Sequence, residues 1–122
     1  MEKINIEGTE DTPQINIDLE AGVFSLSGRS LPEDVTTFYE PVVKWLDVYT
    51  SKSPMECAIK LEYFNTASSK IILDILMKLE ELAKSSNHIS IKWYCDKNDE
   101  DMYEAGEEFS DLVDIPFELI KY

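Results

Sequence analysis

The stretch MECAIKLEYFNTASSKIILDILMKLEELAK, residues 55–84, decides the fold because a strand pattern runs directly into a helix pattern. Apolar side chains first alternate at a period of two, which predicts a strand with one face turned to the core. The residues predicted on that face are Met55, Cys57, Ile59, Leu61 and Tyr63. Apolar residues then recur at a period near 3.6, which predicts an amphipathic helix over 68–84.

A short polar turn, Asn65-Thr66-Ala67-Ser68-Ser69, joins the two patterns and carries hydroxyl groups. Free backbone N–H groups and the positive end of the dipole at a helix N-terminus favour a phosphate group. Thr66 is therefore a candidate phosphoacceptor, with Ser68 and Ser69 as secondary candidates. Serine and threonine are also common helix caps, and the local sequence on its own favours that simpler role.

The segment Tyr63–Lys70 resembles the signature of the SiaC family, which comprises bacterial regulatory phosphoproteins of the biofilm and cyclic-di-GMP network. The resemblance extends over nearly the whole chain, in matching order. It includes Gly8-Thr9 with Thr12-Pro13, Gly28–Glu33, Phe38–Pro41 with Trp45, Trp93-Tyr94 and the acidic run Asp96–Glu108. Two positions depart from the family pattern, Ala67 in the turn and Cys95 after Trp93-Tyr94, and neither departure changes the identity of Thr66.

The resemblance implies a phospho-switch protein that is not an enzyme and needs no cofactor. A serine/threonine protein kinase resembling anti-sigma factors would phosphorylate Thr66, and a PP2C-type phosphatase would reverse the modification. The unphosphorylated form would bind and activate a diguanylate cyclase. We expect two groups of residues to contact partners: Phe64, Asn65, Thr66 and Lys70 around the turn, and Asp99, Glu100 and Asp101 in the acidic run.

Composition narrows the class of protein and its partners. With 122 residues, 43% of them hydrophobic, the chain is expected to form one globular domain over 1–122 that buries about two-thirds of its unfolded surface. A net charge of −14 excludes the basic footprint that nucleic acids and anionic membranes require.

The chain shows no secretion signal and no apolar run of the ~20 residues that span a bilayer, so we expect a cytoplasmic protein with no membrane insertion. Cys57 and Cys95 are expected to be buried free thiols.

The rest of the chain predicts strands near both termini, and helices and strands that alternate between them. Strands are predicted at Lys3–Ile6, Gln14–Leu19, Val23–Ser27, His88–Cys95 and Ile115–Lys121. Ser30-Leu31-Pro32-Glu33 has the form of a capping box and predicts a helix that runs towards Thr50, kinked or split at Pro41. A further helix is predicted over Asn98–Ser110. This order predicts an α/β (α+β) fold, a mixed sheet with helices packed on it, and it resembles the STAS-type fold of anti-sigma-factor antagonists.

The aromatic residues are expected to lie mostly in the core. Trp93 alternates with Ile89 and Ile91, which predicts that it is buried. Tyr94 and Phe64 would then point to the other face of the sheet.

The acidic run Asp96–Glu108 allows two interpretations. Counted from Asp96, it partly matches a twelve-residue calcium loop, but Asp101 stands where the sharp turn needs glycine. We therefore expect no metal site and favour a solvated face or a docking surface for a basic partner. A divalent-metal or small-ligand binding module remains one rival function, and a structural adaptor in which Thr66 only caps its helix remains another.

Catalysis has little support in the sequence. His88 stands alone at the start of a predicted strand, without a recognisable nucleophile motif nearby. The four glycines are scattered, so no glycine-rich phosphate loop is present.

Overall fold

Three strands come first in the chain, and helices then alternate with strands. The computed structural model describes residues 3–18, 20–49, 54–84 and 88–122. The strands are β1 (Ile4–Ile6), β2 (Gln14–Asp18), β3 (Val23–Ser30), β4 (Met55–Phe64), β5 (Ile89–Cys95) and β6 (Phe117–Lys121). The helices are α1 (Val35–Asp47), α2 (Thr66–Lys84) and α3 (Glu100–Leu112). The predicted ends of a strand at Leu19 and of a helix near Thr50 lie outside the described residues, as does most of the predicted loop at 51–54.

The six strands form one mixed sheet in the order β1-β2-β3-β4-β5-β6. The pairs β1–β2 and β2–β3 are antiparallel, and β3 to β6 run parallel to one another. Each parallel connection is a helix, and right-handed crossovers that advance in one direction place all three helices on the same face. The predicted class, a mixed sheet with helices packed on it, is confirmed.

Burial alternates along the central strands, so one face of the sheet forms the core. The inward residues are Met55, Cys57, Ile59 and Leu61 from β4 and Ile89, Ile91, Trp93 and Cys95 from β5. Both cysteines are buried free thiols, as predicted. Burial raises the pKa of each thiol, which keeps both protonated at neutral pH.

Trp93 is fully buried, as predicted, and its indole N–H donates to the carbonyl of Met102 at 3.1 Å. Gly106 of α3 lies directly against this ring. A Cβ at residue 106 would stand 2.5 Å from Trp93 Cδ1 and 2.5 Å from Leu119 Cδ2. The glycine inside α3 therefore permits a close approach of this helix to β5 and β6.

The predicted capping box at Ser30–Glu33 is wrong. Ser30 is the last residue of β3 and is fully buried. The helix α1 begins later, where the side chain of Asp34 accepts a hydrogen bond from the Thr37 N–H at 3.1 Å. The box was misplaced because Ser30 satisfies its hydroxyl with residues that are distant in sequence.

Pro41 does not split α1, which is one helix of 13 residues. The ring removes one backbone hydrogen bond, but Pro41 lies on the exposed side of the helix. The opposite side is anchored in the core by Tyr39, Val42, Trp45 and Leu46. No helix in the described ranges has both the length and the apolar composition to span a bilayer.

Candidate functional site

The carboxyl ends of the parallel strands meet at one edge of the sheet, and the predicted site residues follow two of these ends. Thr66 comes two residues after β4 ends at Phe64, and the acidic run begins at Asp96, directly after β5. Because β4 and β5 are neighbours in the sheet, these two segments lie side by side. Ligands and partners of open α/β sheets commonly bind at such an edge.

The first turn of α2 is capped by Asn65 rather than by Thr66. Asn65 Oδ1 accepts a hydrogen bond from the Ser68 N–H at 2.8 Å, and the Asn65 carbonyl accepts from the Ser69 N–H at 3.0 Å. Thr66 is the first residue of the helix, two residues earlier than predicted, and it is exposed. Within the described residues, its hydroxyl has no hydrogen-bond partner. The role of a simple cap therefore belongs to its neighbour.

The two secondary candidates have hydroxyls that are already engaged. Ser68 is fully buried, and its hydroxyl donates to the carbonyl of Ser30 at 2.9 Å. The hydroxyl of Ser69 donates to the carbonyl of Thr66 at 2.7 Å. Of the three residues, Thr66 is the most exposed to solvent.

A β-bulge just before the turn reverses the predicted orientation of two aromatic residues. Gly28 of β3 pairs with Leu61, and the next residue of β3, Arg29, pairs with Tyr63, so Glu62 is left without a partner in that ladder. One extra residue moves every later side chain to the opposite face. Tyr63, predicted in the core, is 47% exposed. Phe64, predicted on the other face, is half-buried against Trp93 and Phe109, with ring centroids at 6.3 and 6.1 Å.

An open groove of about 300 Å³ joins the two predicted partner-binding segments. It is lined by Glu62, Tyr63, Phe64, Asp99, Asp101, Met102 and Ala105. Three of the expected contact residues, Phe64, Asp99 and Asp101, therefore meet in one groove. The other four expected contact residues do not line this groove: Asn65, Thr66, Lys70 and Glu100.

The acidic run caps and begins α3 instead of forming a calcium loop. The Asp99 side chain accepts a hydrogen bond from the Met102 N–H at 3.0 Å, and Asp96 accepts one from the Asn98 N–H at 2.8 Å. Glu100 and Asp101 lie in the first helical turn, where the helix dipole favours negative charge. Across the described ranges, no group of three or more His, Cys, Asp or Glu side chains is placed to hold a metal ion.

The sequence does not predict the surroundings of several residues beside the turn. Tyr63 follows the core alternation of β4 but is exposed, and the guanidinium of Arg29 lies 5.5 Å from the centre of its ring. Ser30 has the sequence pattern of a cap, but it contacts Tyr39 and Ser68. Gly28 is a local sequence signal of the bulge, because a glycine beside a strand often marks one, and its φ in the structure is 101°.

Comparison with known proteins agrees with this arrangement. Residues 6–122 match the SiaC family of regulatory phosphoproteins. An uncharacterized protein of Pseudomonas aeruginosa strain UCBPP-PA14 is 34% identical over 121 residues, which cover 98% of this chain and 96% of the relative. The structure of SiaC of Pseudomonas aeruginosa superposes with a TM-score of 0.92 at 32% identity and covers both chains completely.

A second solved structure contains SiaC together with a partner protein. A chain in the crystal structure of the diguanylate cyclase SiaD in complex with its activator SiaC, from Pseudomonas aeruginosa, superposes with a TM-score of 0.92 at 33% identity. The match covers 98% of this chain and 99% of that chain. On the match over residues 6–122 and the agreement of the whole fold, the chain belongs to the SiaC family of regulatory phosphoproteins.

Proposed function

We propose that this chain is a phospho-switch protein that controls a diguanylate cyclase through Thr66. A serine/threonine protein kinase phosphorylates Thr66, a PP2C-type phosphatase removes the phosphate, and the unphosphorylated chain binds and activates the cyclase. Membership of a regulatory phosphoprotein family and the likeness to SiaC in its complex with SiaD support this proposal. The chain acts as one domain over 1–122, without catalytic chemistry of its own, in the cytoplasm.

The observation that carries the proposal is the division of roles between Asn65 and Thr66. Asn65 supplies the helix cap, so the Thr66 hydroxyl is not needed to start α2. Thr66 is nevertheless exposed at the first position of the helix. An exposed hydroxyl without a structural task, at the edge of the sheet where the groove opens, suits a modification site.

A phosphate at Thr66 is compatible with the fold. Phosphorylation adds about −1.5 to −2 charges. The first turn of α2 contains no acidic residue, and the helix dipole there favours an anion. Lys70 lies four residues further along α2, the spacing at which an anion and a cation on one helix face interact favourably. We therefore expect the phosphorylated protein to keep its structure.

The same phosphate would oppose a partner that packs on this edge. Tyr63 provides an exposed aromatic side chain of the kind that anchors protein interfaces, and the groove beside it carries Asp99 and Asp101. A cyclase surface that covers the turn would have to strip water from the phosphate. Desolvation of a charged group costs several kcal/mol, so the partner should be released.

Phosphorylation of the purified chain by its cognate kinase tests the first half of the proposal. Intact-mass measurement should show the gain of one phosphoryl group in the wild type and in Ser69→Ala, and none in Thr66→Ala. Thr36→Ala is a matched control, because Thr36 is also an exposed threonine in the first turn of a helix. Incorporation that persists in Thr66→Ala and disappears in Ser68→Ala would refute the assignment.

A titration of the cyclase with both forms of the chain tests the second half. The unphosphorylated chain should bind and raise cyclase activity, and the fully phosphorylated chain should do neither. Equal affinity of the two forms for the cyclase would eliminate the switch.

A further inference from the structure

Three buried hydroxyl groups form a continuous chain of hydrogen bonds beneath the Thr66 turn. The Ser68 hydroxyl donates to the Ser30 carbonyl at 2.9 Å, and the Ser30 hydroxyl donates to Ser68 Oγ at 2.8 Å. Because Ser30 has then used its one proton, the Tyr39 hydroxyl donates to Ser30 Oγ, at 2.6 Å. The side chains of Ser30, Tyr39 and Ser68 are all fully buried.

This hydroxyl network ties the turn down on both sides of Thr66. The Ser30 carbonyl accepts from the Asn65 N–H at 3.2 Å as well as from the Ser68 hydroxyl. Residues 65 and 68 are therefore both anchored to the end of β3, and Tyr39 connects that anchor to α1. Thr66 and Ala67 lie between the anchors and are exposed.

Burial of polar groups in a core costs free energy that apolar side chains of the same volume would not cost. A buried hydroxyl loses its hydrogen bonds to water and must recover each of them inside the protein. A fully satisfied network of this kind specifies one geometry, whereas apolar side chains of similar size would tolerate several. The placement of this network under the candidate phosphoacceptor points to a role in the shape of the turn.

We infer that Ser30, Tyr39 and Ser68 are positioning residues that hold the Asn65–Ser69 turn in the single conformation recognised by the kinase and by the effector. The inference rests on the proposed function of Thr66. When a turn occupies its binding-competent conformation only part of the time, the apparent dissociation constant rises in inverse proportion to that fraction. Loss of the network should therefore raise KM and the dissociation constant, while kcat at saturation is retained.

The test compares Tyr39→Phe and Ser68→Ala with the wild type well below the melting temperature. Each change removes one oxygen atom, but Tyr39→Phe breaks one hydrogen bond of the network and Ser68→Ala breaks two, so Tyr39→Phe is the milder change. Loss of the one buried hydrogen bond in Tyr39→Phe is expected to raise the kinase KM and the dissociation constant for the cyclase about tenfold each, and Ser68→Ala should raise both at least as much. The double variant should lose less than the product of the two single effects, because both act on one chain of bonds.

Hydrogen exchange of the isolated protein gives a readout that needs no kinase. The Asn65 amide donates to the Ser30 carbonyl, and the amides of Ser68 and Ser69 donate to Asn65, so all three should lose protection in both variants. Ile17→Val is the matched control. It deletes a methyl group from a buried residue of β2, so it should lower the melting temperature without changing KM or the exchange of the turn.

Unchanged KM, unchanged cyclase affinity and unchanged exchange in Tyr39→Phe and Ser68→Ala would overturn the inference. Ile17→Val with the same rise in KM would also overturn it, since lost stability would then explain the effect. Failure of the wild type to accept any phosphate would refute the proposed function instead, and the exchange of the three amides would still decide whether the network holds the turn.

Discussion

Two neighbouring alanine substitutions separate helix capping from signalling at the start of α2. In Asn65→Ala, the Ser68 N–H loses the side-chain oxygen that accepts its hydrogen bond at 2.8 Å. Replacement of an asparagine cap by alanine costs ~1 kcal/mol of folding free energy, within a range of roughly 0.5–2 kcal/mol. For a domain of this size, that loss lowers the melting temperature by roughly 3–6 °C.

Thr66→Ala should have a different effect. Thr66 is exposed, and within the described residues its hydroxyl has no partner, so its removal leaves no buried group unsatisfied. Alanine also has a higher helix propensity than threonine, by roughly 0.5 kcal/mol. We therefore expect a free energy of unfolding that is unchanged or slightly raised.

Urea denaturation followed by circular dichroism measures the free energy of unfolding of both variants. Intact-mass measurement after kinase treatment shows whether each variant accepts phosphate. Asn65→Ala should be less stable and still accept phosphate, whereas Thr66→Ala should be stable and accept none. The opposite pattern of stabilities, with Thr66→Ala losing about 1 kcal/mol or more and Asn65→Ala neutral, would show that Thr66 is the cap and that our reasoning is wrong.

Three further predictions concern the groove and the core. Tyr63→Ala should weaken cyclase binding by ~tenfold or more in a titration, whereas Met77→Ala should not, because Met77 is also 47% exposed but lies on α2 and does not line the groove. The triple change Asp99→Asn, Glu100→Gln and Asp101→Asn should slow association with the cyclase at low salt in stopped-flow mixing, an effect that disappears at high salt if it is electrostatic. The triple change keeps a side chain at residue 99 that can cap α3, but it removes the charges of Glu100 and Asp101 in the first turn. It should therefore lower the free energy of unfolding by roughly 1 kcal/mol, as measured by urea denaturation. Burial raises the pKa of Tyr39 to about 12, against about 10 in the unfolded chain, so its contribution to stability is complete below pH 10 and is lost as the pH rises through 12. The stability difference between wild type and Tyr39→Phe should shrink over that window, and a constant difference would contradict the shift.

Two charge effects compete in α3. Glu100 and Glu104 lie four residues apart on this helix, a spacing at which like charges are unfavourable. The structure places Asp99 at the cap and Glu100 and Asp101 in the first turn, where negative charge is favourable. The position of a charge relative to the helix end therefore outweighs the count of charges in the segment.

Elements with a strong period were predicted well because the period is a local property. The alternation in residues 55–61 and 89–95 identified β4, β5 and the burial of Trp93 and both cysteines. The apolar stripe of 71–83 identified α2, and only its first two residues were missed. The family signature at residues 63–70 predicted a site at the turn before α2.

Features that depend on a second segment were predicted poorly. Ser30 has the local pattern of a cap, but its hydroxyl donates a hydrogen bond to the hydroxyl of Ser68, which is 38 residues away in the sequence. Tyr63 continues the alternation of β4, yet the register with β3 shifts at Gly28 and turns this side chain to solvent. Both errors have one origin, since the partner strand or helix decides the outcome and a single segment does not contain that information.

The sequence by itself determined the class of the fold and the place of Thr66 at a strand–helix junction, because hydrophobic periodicity and turn chemistry act over a few neighbouring residues. Tertiary structure decided that Asn65 is the cap, that Phe64 faces the core and Tyr63 the solvent, and that Phe64, Asp99 and Asp101 share a groove. It also decided that the Tyr39 hydroxyl forms a hydrogen bond with the Ser30 hydroxyl beneath the turn. These facts arise from strand register, from a bulge of one residue and from hydrogen bonds between distant segments, and such interactions form only when the whole chain is folded.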